Sequence, residues 1–518
     1  MRLAEVVAAS HAVASTSSRL EKVGHLADLL QRTPRDELEI VVAFLTGQPR
    51  QGRIGIGGAL LSSVRDLPAA DRTALDVRDV DAAFDRLAAT SGQGSAGARV
   101  QLLRDLLTRA TRDEQDFLVR LMFGELRQGA LEGVLVEAVA RASAIPAARI
   151  RRAAMLAGAI APVAQAALVD GDAALDAFIL QPFKPVQPML ADSAADVDAA
   201  IHDLGEASFE FKLDGARIQV HKVGDEVRVF SRNLRDVTAA VPEVVAAVRR
   251  VPARELVLDG EAIALRADGT PHPFQTTMRR FGRRLDVERL SAELPMTPFF
   301  FDALYLDGQP LVDEPLTRRV AVLDEQGPPA NLVPRLVTSS ADAASAFAAR
   351  ALAQGHEGVM AKALDAGYAA GRRGSAWLKV KQARTLDLVV LAAEWGSGRR
   401  QGTLSNLHLG ARDDERGGFV MLGKTFKGLT DQMLAWQTKR FLELEIGRDH
   451  YTVHVRPELV VEIAFNDVQV SPHYPGGLAL RFARVKRYRE DKRAAEADTF
   501  ATIRRIYQQM TGQPPPVR

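Results

Sequence analysis

The chain has no cysteine, which removes disulfides, zinc ribbons and thiol nucleophiles in one step and fits a reducing compartment. It has almost no net charge: 67 basic and 65 acidic residues leave +2, so any surface for a polyanion must come from local clustering. No apolar run approaches the roughly 20 residues of a membrane span. The start, MRLAEVVAASHAVAST, carries Glu5 and no sustained apolar core, so neither a secretory leader nor membrane contact is expected, and a cytoplasmic location follows. No repeat of fixed period is present. The ten histidines include no H-E-x-x-H zinc signature.

What is present is enough apolar material, 47% of 518 residues, for about three domains. To about residue 180 the chain reads as successive helices. Thr33-Pro34-Arg35-Asp36 offers a cap, a proline for the first helical position and an acid in the first turn. Thr111-Arg112-Asp113-Glu114 is a capping box ahead of Phe117, Leu118, Leu121 and Met122, one apolar helical face. Pro182, Pro185 and Pro188 then favour an extended connector and a boundary near residue 183. Beyond it the period becomes two. ASFEFKLDGARIQVHKVGDEVRVFSRN alternates on both sides of Gly224-Asp225, as an antiparallel hairpin does. Further strands are expected at 255–265, 298–308, 387–396 and 459–471, with a helical segment at 236–251. The tail 511–518 is expected to be disordered.

Chemistry-bearing strings follow in order. They are Lys212-Leu213-Asp214-Gly215-Ala216-Arg217, Ser231-Arg232-Asn233, Leu258-Asp259-Gly260-Glu261, Phe299-Phe300-Phe301-Asp302, Glu357-Gly358-Val359-Met360-Ala361-Lys362, Trp377-Leu378-Lys379-Val380-Lys381 and Arg489-Glu490-Asp491-Lys492. An isolated K-x-D-G is ordinarily a solvated strand end. The ordered set is far more specific. With it, the sequence resembles the covalent nucleotidyltransferase superfamily, and within it the ATP-dependent DNA ligases of compact bacterial or archaeal type.

The resemblance covers nearly the whole chain. It implies an all-α DNA-binding domain over 1–182, an α+β nucleotidyltransferase (adenylation) domain with antiparallel sheets over 183–384, a C-terminal β-barrel of the OB-fold over 385–510, and the tail. It implies that nicks are sealed through a lysine–AMP intermediate on Lys212, with ATP and magnesium (or manganese) as cofactors. Nicked duplex DNA is the implied partner of a monomer, and repair or replication proteins would be companions that the sequence does not name. In the family's pattern Glu210 reads the adenine amino group, Phe301 stacks on the base, Glu261 serves ribose or metal and Glu357 serves metal. Arg217, Arg232, Lys379 and Lys381 belong to the nucleotide site. Arg489 and Lys492 would orient the leaving pyrophosphate before the C-terminal domain turns another surface to DNA. Arg127 and Gly129, in a glycine-flanked turn after Gly124, and Arg53, in RIGIGG, are the implied DNA contacts; an ordinary helix-to-helix turn explains the former equally well. Leu404-Ser405-Asn406 departs from the family, which commonly has glycines there.

The residue types make physical sense by themselves. A lysine amine attacks only when neutral, and its reference pKa of about 10.4 leaves almost none neutral at pH 7. Neighbouring cations such as Arg217, Lys379 and Lys381 disfavour the ammonium and would also neutralise a triphosphate. Glu261 and Glu357 are hard oxygen ligands beside glycines. Phe301 could equally be a core residue of an apolar strand. Residues 481–492 hold six basic and two acidic side chains, usually only a solvated face.

Competing readings remain. An RNA ligase or capping enzyme would share Lys212 and Glu357 but not require the helical third. A catalytically dead nucleic-acid-binding module would bind nicked DNA without covalent chemistry. Gly418-Phe419-Val420-Met421-Leu422-Gly423-Lys424-Thr425 matches a P-loop, whose mechanism requires a loop followed at once by a helix. The apolar middle reads instead as a strand, and Thr430 as the cap of a later helix.

Overall fold

The helical third follows its own caps. At Thr111 both bonds of the capping box form: the Glu114 amide donates to Thr111 Oγ1 (3.5 Å) and the Thr111 amide to Glu114 Oε2 (2.8 Å). The helix Arg112–Phe123 then buries Phe117, Leu118 and Leu121 in one apolar core that runs from Leu3 to Leu175. One start signal is misplaced. Thr33 ends the helix Arg19–Arg32, because the residue before a proline is driven out of the helical region. Its hydroxyl donates back to Leu29 O (2.8 Å). The next α-helix begins only at Leu38, after a short turn, Arg35–Glu37, whose buried Glu37 is claimed by the Met1 amino group and Arg78.

This computed structural model describes all residues except 53, 55, 58, 59, 61–63, 65, 66, 93, 125, 127–131, 283–285, 370–372, 382, 383, 512, 513 and 516–518. Arg53, Arg127, Gly129 and most of the tail therefore lie outside the described residues. Among the described residues no helix is long and apolar enough to cross a membrane.

The proline-spaced connector is not extended throughout: it turns at residues 181–184, where the Lys184 amide donates to Gln181 O (3.1 Å) and Phe183 takes a φ of 67°, and it is fastened to the next region. The Phe183 amide donates to His221 Nδ1 (2.9 Å), the Val186 amide to Gln219 Oε1 (2.8 Å), and Gln219 Nε2 to Val186 O (3.1 Å). The strands that follow are β1 (Leu190–Ser193), β2 (Ala207–Phe211), β3 (Ala216–Val223), β4 (Glu226–Ser231), β5 (Glu255–Ala264), β6 (Met296–Leu306), β7 (Gln309–Pro310), β8 (Arg335–Thr338), β9 (Gly358–Ala363) and β10 (Arg373–Lys381). They form two five-stranded sheets, ordered β1-β10-β9-β2-β8 and β4-β3-β5-β6-β7, antiparallel apart from β1 on β10. The hairpin turning at Gly224-Asp225 is β3–β4, with Val223 opposite Glu226. It starts at Ala216 and not at Lys212, because β2 pairs in the other sheet. Lys212–Gly215 is thus the crossing between two sheets.

The C-terminal strands are β11 (Arg384–Trp395), β12 (Leu404–Arg412), β13 (Phe419–Thr425), β14 (Glu445–Arg448), β15 (Thr452–Val455), β16 (Val460–Phe465), β17 (Asp467–Val470), β18 (Leu478–Arg481) and β19 (Arg484–Tyr488). Seven of them make one antiparallel sheet around a separate apolar core, and β17–β18 form a ribbon. The run 459–471 is two strands, not one, because Asn466 leaves the ladder: its amide donates to Arg481 O (3.0 Å). The P-loop reading fails. Its residues are strand β13, Lys424 pairs with Glu394, and the next helix, Asp431–Glu443, is capped separately by Thr430.

Candidate active site

The crossing segment makes the site because glycine lets it lie flat. A Cβ on Gly215 would collide with Ile263 and the Ala262 carbonyl, so only glycine allows the chain to press against β5. The Gly215 amide donates to Glu261 Oε1 (3.1 Å), tying the crossing to that strand. On the other side, the Lys212 amide donates to Gly358 O (2.9 Å) and the Glu357 amide to Lys212 O (3.1 Å). Lys212 is therefore held to Glu357 and Gly358 by backbone bonds, and the Glu261 side chain ties the crossing to β5, leaving the Lys212 side chain for other partners.

Those partners are charged. Glu357 Oε2 lies 2.7 Å from Lys212 Nζ and 2.5 Å from Lys381 Nζ. Although burial opposes it, the two lysines hold the Glu357 carboxyl below its ordinary range. Burial, and then Lys212, push the Lys381 ammonium down. Lys379, two residues earlier on the same strand face, donates to Ala191 O (3.3 Å). Burial raises the Glu261 carboxyl to about 7, against the pull of Lys212 and Arg217. All of these side chains, with Glu210, Arg232 and Phe301, line one cavity of about 1740 Å³.

Two expectations are modified. Arg217 lines the cavity, but its guanidinium is held by Asp259 in a two-pronged pair (3.1 and 2.6 Å) and donates to Met189 O (2.7 Å). It reaches Lys212 less as a free cation than as a braced wall. Arg489 and Lys492 are absent from the cavity lining and are both held by Asp387, at 3.0 and 2.5 Å. The C-terminal surface that does face the cleft carries Lys427, Arg481, Phe482, Arg484 and Lys486. There Arg481 pairs with Asp214 (2.9 Å), and Asn466 Nδ2 donates to Glu357 Oε1 (3.4 Å).

Sequence reasoning included Asp259, Lys362 and Arg481 in its strings without giving them a role, and passed over Tyr368. Asp259 carried a signal, since it sits two residues before Glu261 on one strand face. Tyr368 had none: its hydroxyl donates to Asp259 Oδ2 (2.7 Å) across more than a hundred residues.

The donor set fits a nucleotide and a hard cation. At one end Glu210 Oε1 is buried and has no hydrogen-bond partner among the described residues. At the other, the described residues offer no cluster of three or more His, Asp or Glu able to hold a metal unaided. Glu261 and Glu357 on the cavity wall are hard oxygen donors, and magnesium is usually held by one or two carboxylates together with substrate phosphates.

Comparison with known proteins agrees along the chain. The family profile "DNA ligase N terminus" matches residues 59–140, "ATP dependent DNA ligase domain" matches 188–381, and "ATP dependent DNA ligase C terminal region" matches 400–492. The chain is 63% identical to a "Probable DNA ligase" of Anaeromyxobacter sp. (strain Fw109-5), covering 98% of both proteins. It is 57% identical to a "Probable DNA ligase" of Mycolicibacterium gilvum (strain PYR-GCK), covering 98% of this chain and 99% of that one. In fold it is similar to the solved structure "Pmar-Lig_PreS3", with a TM-score of 0.62 and 18% identity over 93% of this chain and 99% of that one. Identity of this extent, over the helical, two-sheet and C-terminal regions together, places the chain in the ATP-dependent DNA ligase family.

Proposed function

We propose that Lys212 is the nucleophile that takes AMP from ATP, and that the AMP then passes to the 5′-phosphate of a nick before the 3′-hydroxyl displaces it. The lysyl–AMP route is general to the family. Its assignment to Lys212 rests on one observation: Lys212 Nζ, Glu357 and Lys381 form a connected charged group at the crossing between the two sheets, in the cavity that also holds Glu210 and Phe301.

The remaining residues divide the work. Phe301 and Glu210 hold the base, and Glu261 takes the ribose or a metal. Lys379 and Lys381 neutralise the phosphates, so that charge developing on the phosphoryl oxygens is met by fixed cations. Glu357 positions Lys212 by holding Nζ at 2.7 Å, and the pair opens and the ammonium loses its proton before the amine attacks. Arg217 and Arg232 complete the wall. Magnesium held by Glu261 and Glu357 would supply further neutralisation of phosphate charge. Arg489 and Lys492 act on the leaving pyrophosphate, which requires the C-terminal region, read as an OB-fold barrel over 385–510, to turn relative to 183–384. Residues 1–182, with Arg53, Arg127 and Gly129, grip duplex DNA. The chain is read as a monomer, since the residues named for the cleft all belong to it. Use of ATP and DNA by a cysteine-free chain fits the cytoplasm.

Incubation with α-labelled ATP tests the assignment. Lys212→Ala should abolish covalent label while leaving the thermal melt close to wild type, because a partly exposed lysine contributes little to stability. Label retained in that variant would overturn it.

A further inference from the structure

Lys362 is a fully buried ammonium with no part in the chemistry described above. It stands on β9 diagonally across from Glu210 on β2: Ser208 pairs with Lys362 and Glu210 with Met360. Both side chains are almost wholly buried, at 1% and 2% exposure, and Lys362 Nζ lies 2.6 Å from Glu210 Oε2. The ammonium also donates to Phe301 O (3.3 Å) and sits 4.5 Å from the Phe301 ring centroid and 4.3 Å from that of Trp377. These contacts fix it on all sides. Glu210 is left with one oxygen engaged and the other, Oε1, buried and without a hydrogen-bond partner among the described residues. Glu210, Phe301, Lys362 and Trp377 all line the nucleotide cavity.

We propose that Lys362 sets the base specificity of this cavity: by occupying Glu210 Oε2 it keeps the carboxylate an acceptor only, so that Oε1 receives the 6-amino group of adenine and rejects a 6-oxo purine. This rests on the nucleotide reading given above and deepens it. A carboxylate has no proton to offer a carbonyl oxygen, whereas a carboxylic acid has one. Burial pushes the Glu210 carboxyl up, and Lys362 is the largest influence opposing that rise. Without the ammonium 2.6 Å away, burial acts on Glu210 unopposed by its nearest cation and favours the protonated carboxyl, a donor that suits the 6-oxo edge instead. Lys362 is thus a positioning residue that acts through Glu210.

The test compares covalent labelling of full-length protein by α-labelled ATP and by α-labelled ITP, which differs at the 6-position. Wild type should prefer ATP. In Lys362→Met the ATP-to-ITP ratio of labelling efficiencies should fall by at least about tenfold, because the site's acceptor has become a donor. Lys362→Arg, which keeps the charge, should hold the ratio near wild type. Glu210→Gln should lose the preference too, and Glu210→Gln/Lys362→Met should lose no more than Glu210→Gln alone, since the two residues act as one unit. A folded Lys362→Met with the wild-type ratio, or a double variant whose losses add, overturns the proposal. If Lys362→Met does not fold, the double variant leaves no buried charge and carries the same decision by its ratio against Glu210→Gln. Label that persists in Lys212→Ala would instead strike the nucleophile assignment and leave the base preference readable.

Discussion

The two ends of the cleft are built on opposite plans. At the end proposed for the base Glu210 and Lys362 are buried to 2% and 1% exposure and paired once, with aromatic rings against the ammonium. At the end proposed for the phosphates Lys212 and Glu357 keep 19% and 15% exposure, and one carboxylate is shared between two lysines. A buried pair loses a great deal when one partner is removed, so it suits a contact that stays the same throughout a reaction. A shared, partly solvated group can exchange partners at low cost, as the proposed arrival and departure of AMP at Lys212 requires.

The largest effect should come from breaking the shared group. Glu357→Gln removes the charge that orients Lys212 and should lower the rate of self-adenylation by roughly 10²–10³, in the range of losing one preorganised electrostatic contact. Single-turnover labelling measures it, and a change of less than threefold would mean that the two ends do not differ as described.

The base end can be probed from beneath, through the connector that braces Arg217 at Met189. His221 accepts the Phe183 amide, and burial lowers its pKa from 6.5 to about 3. The unfolded chain takes up a proton as pH falls through about 6.5 while the folded chain does not, so stability is complete above that pH and is lost on acidification. The loss should approach about 1.4 kcal/mol per pH unit between roughly 6.5 and 3. The difference between wild type and His221→Gln in denaturant melts from pH 7 to pH 4 should show this slope, since Glu261, raised to about 7, contributes in the opposite sense to both proteins.

The smallest effect concerns residues that this arrangement keeps away from either end. Lys492→Ala should slow self-adenylation about tenfold more than sealing of pre-adenylated nicks, the scale of one charge contact. Equal losses would count against a C-terminal region that presents different surfaces in the two steps.

These contrasts show how far the sequence reaches. Lys212, Glu261, Glu357, Lys379 and Lys381 were singled out because the ordered set of strings resembles the ligase family, each string alone being weak, and the cavity does collect them. The P-loop string could be rejected because its four middle residues are apolar and read as a strand. The Thr33-Pro34 signal misled because a proline both starts one helix and ends another, and the burial of Glu37 under distant partners decided between them.

By itself, then, the sequence determined which residue types stand near one another along each strand, since the period of two is a property of the backbone. Only the tertiary structure decided that Lys212 marks a crossing between sheets, that Asp259 and Tyr368 brace Arg217, that Lys362 meets Glu210, and that Asp387 holds Arg489 and Lys492. Each of those depends on segments far apart in the chain. Charge neutralisation is a matter of a few ångströms in space, and no local spacing records it.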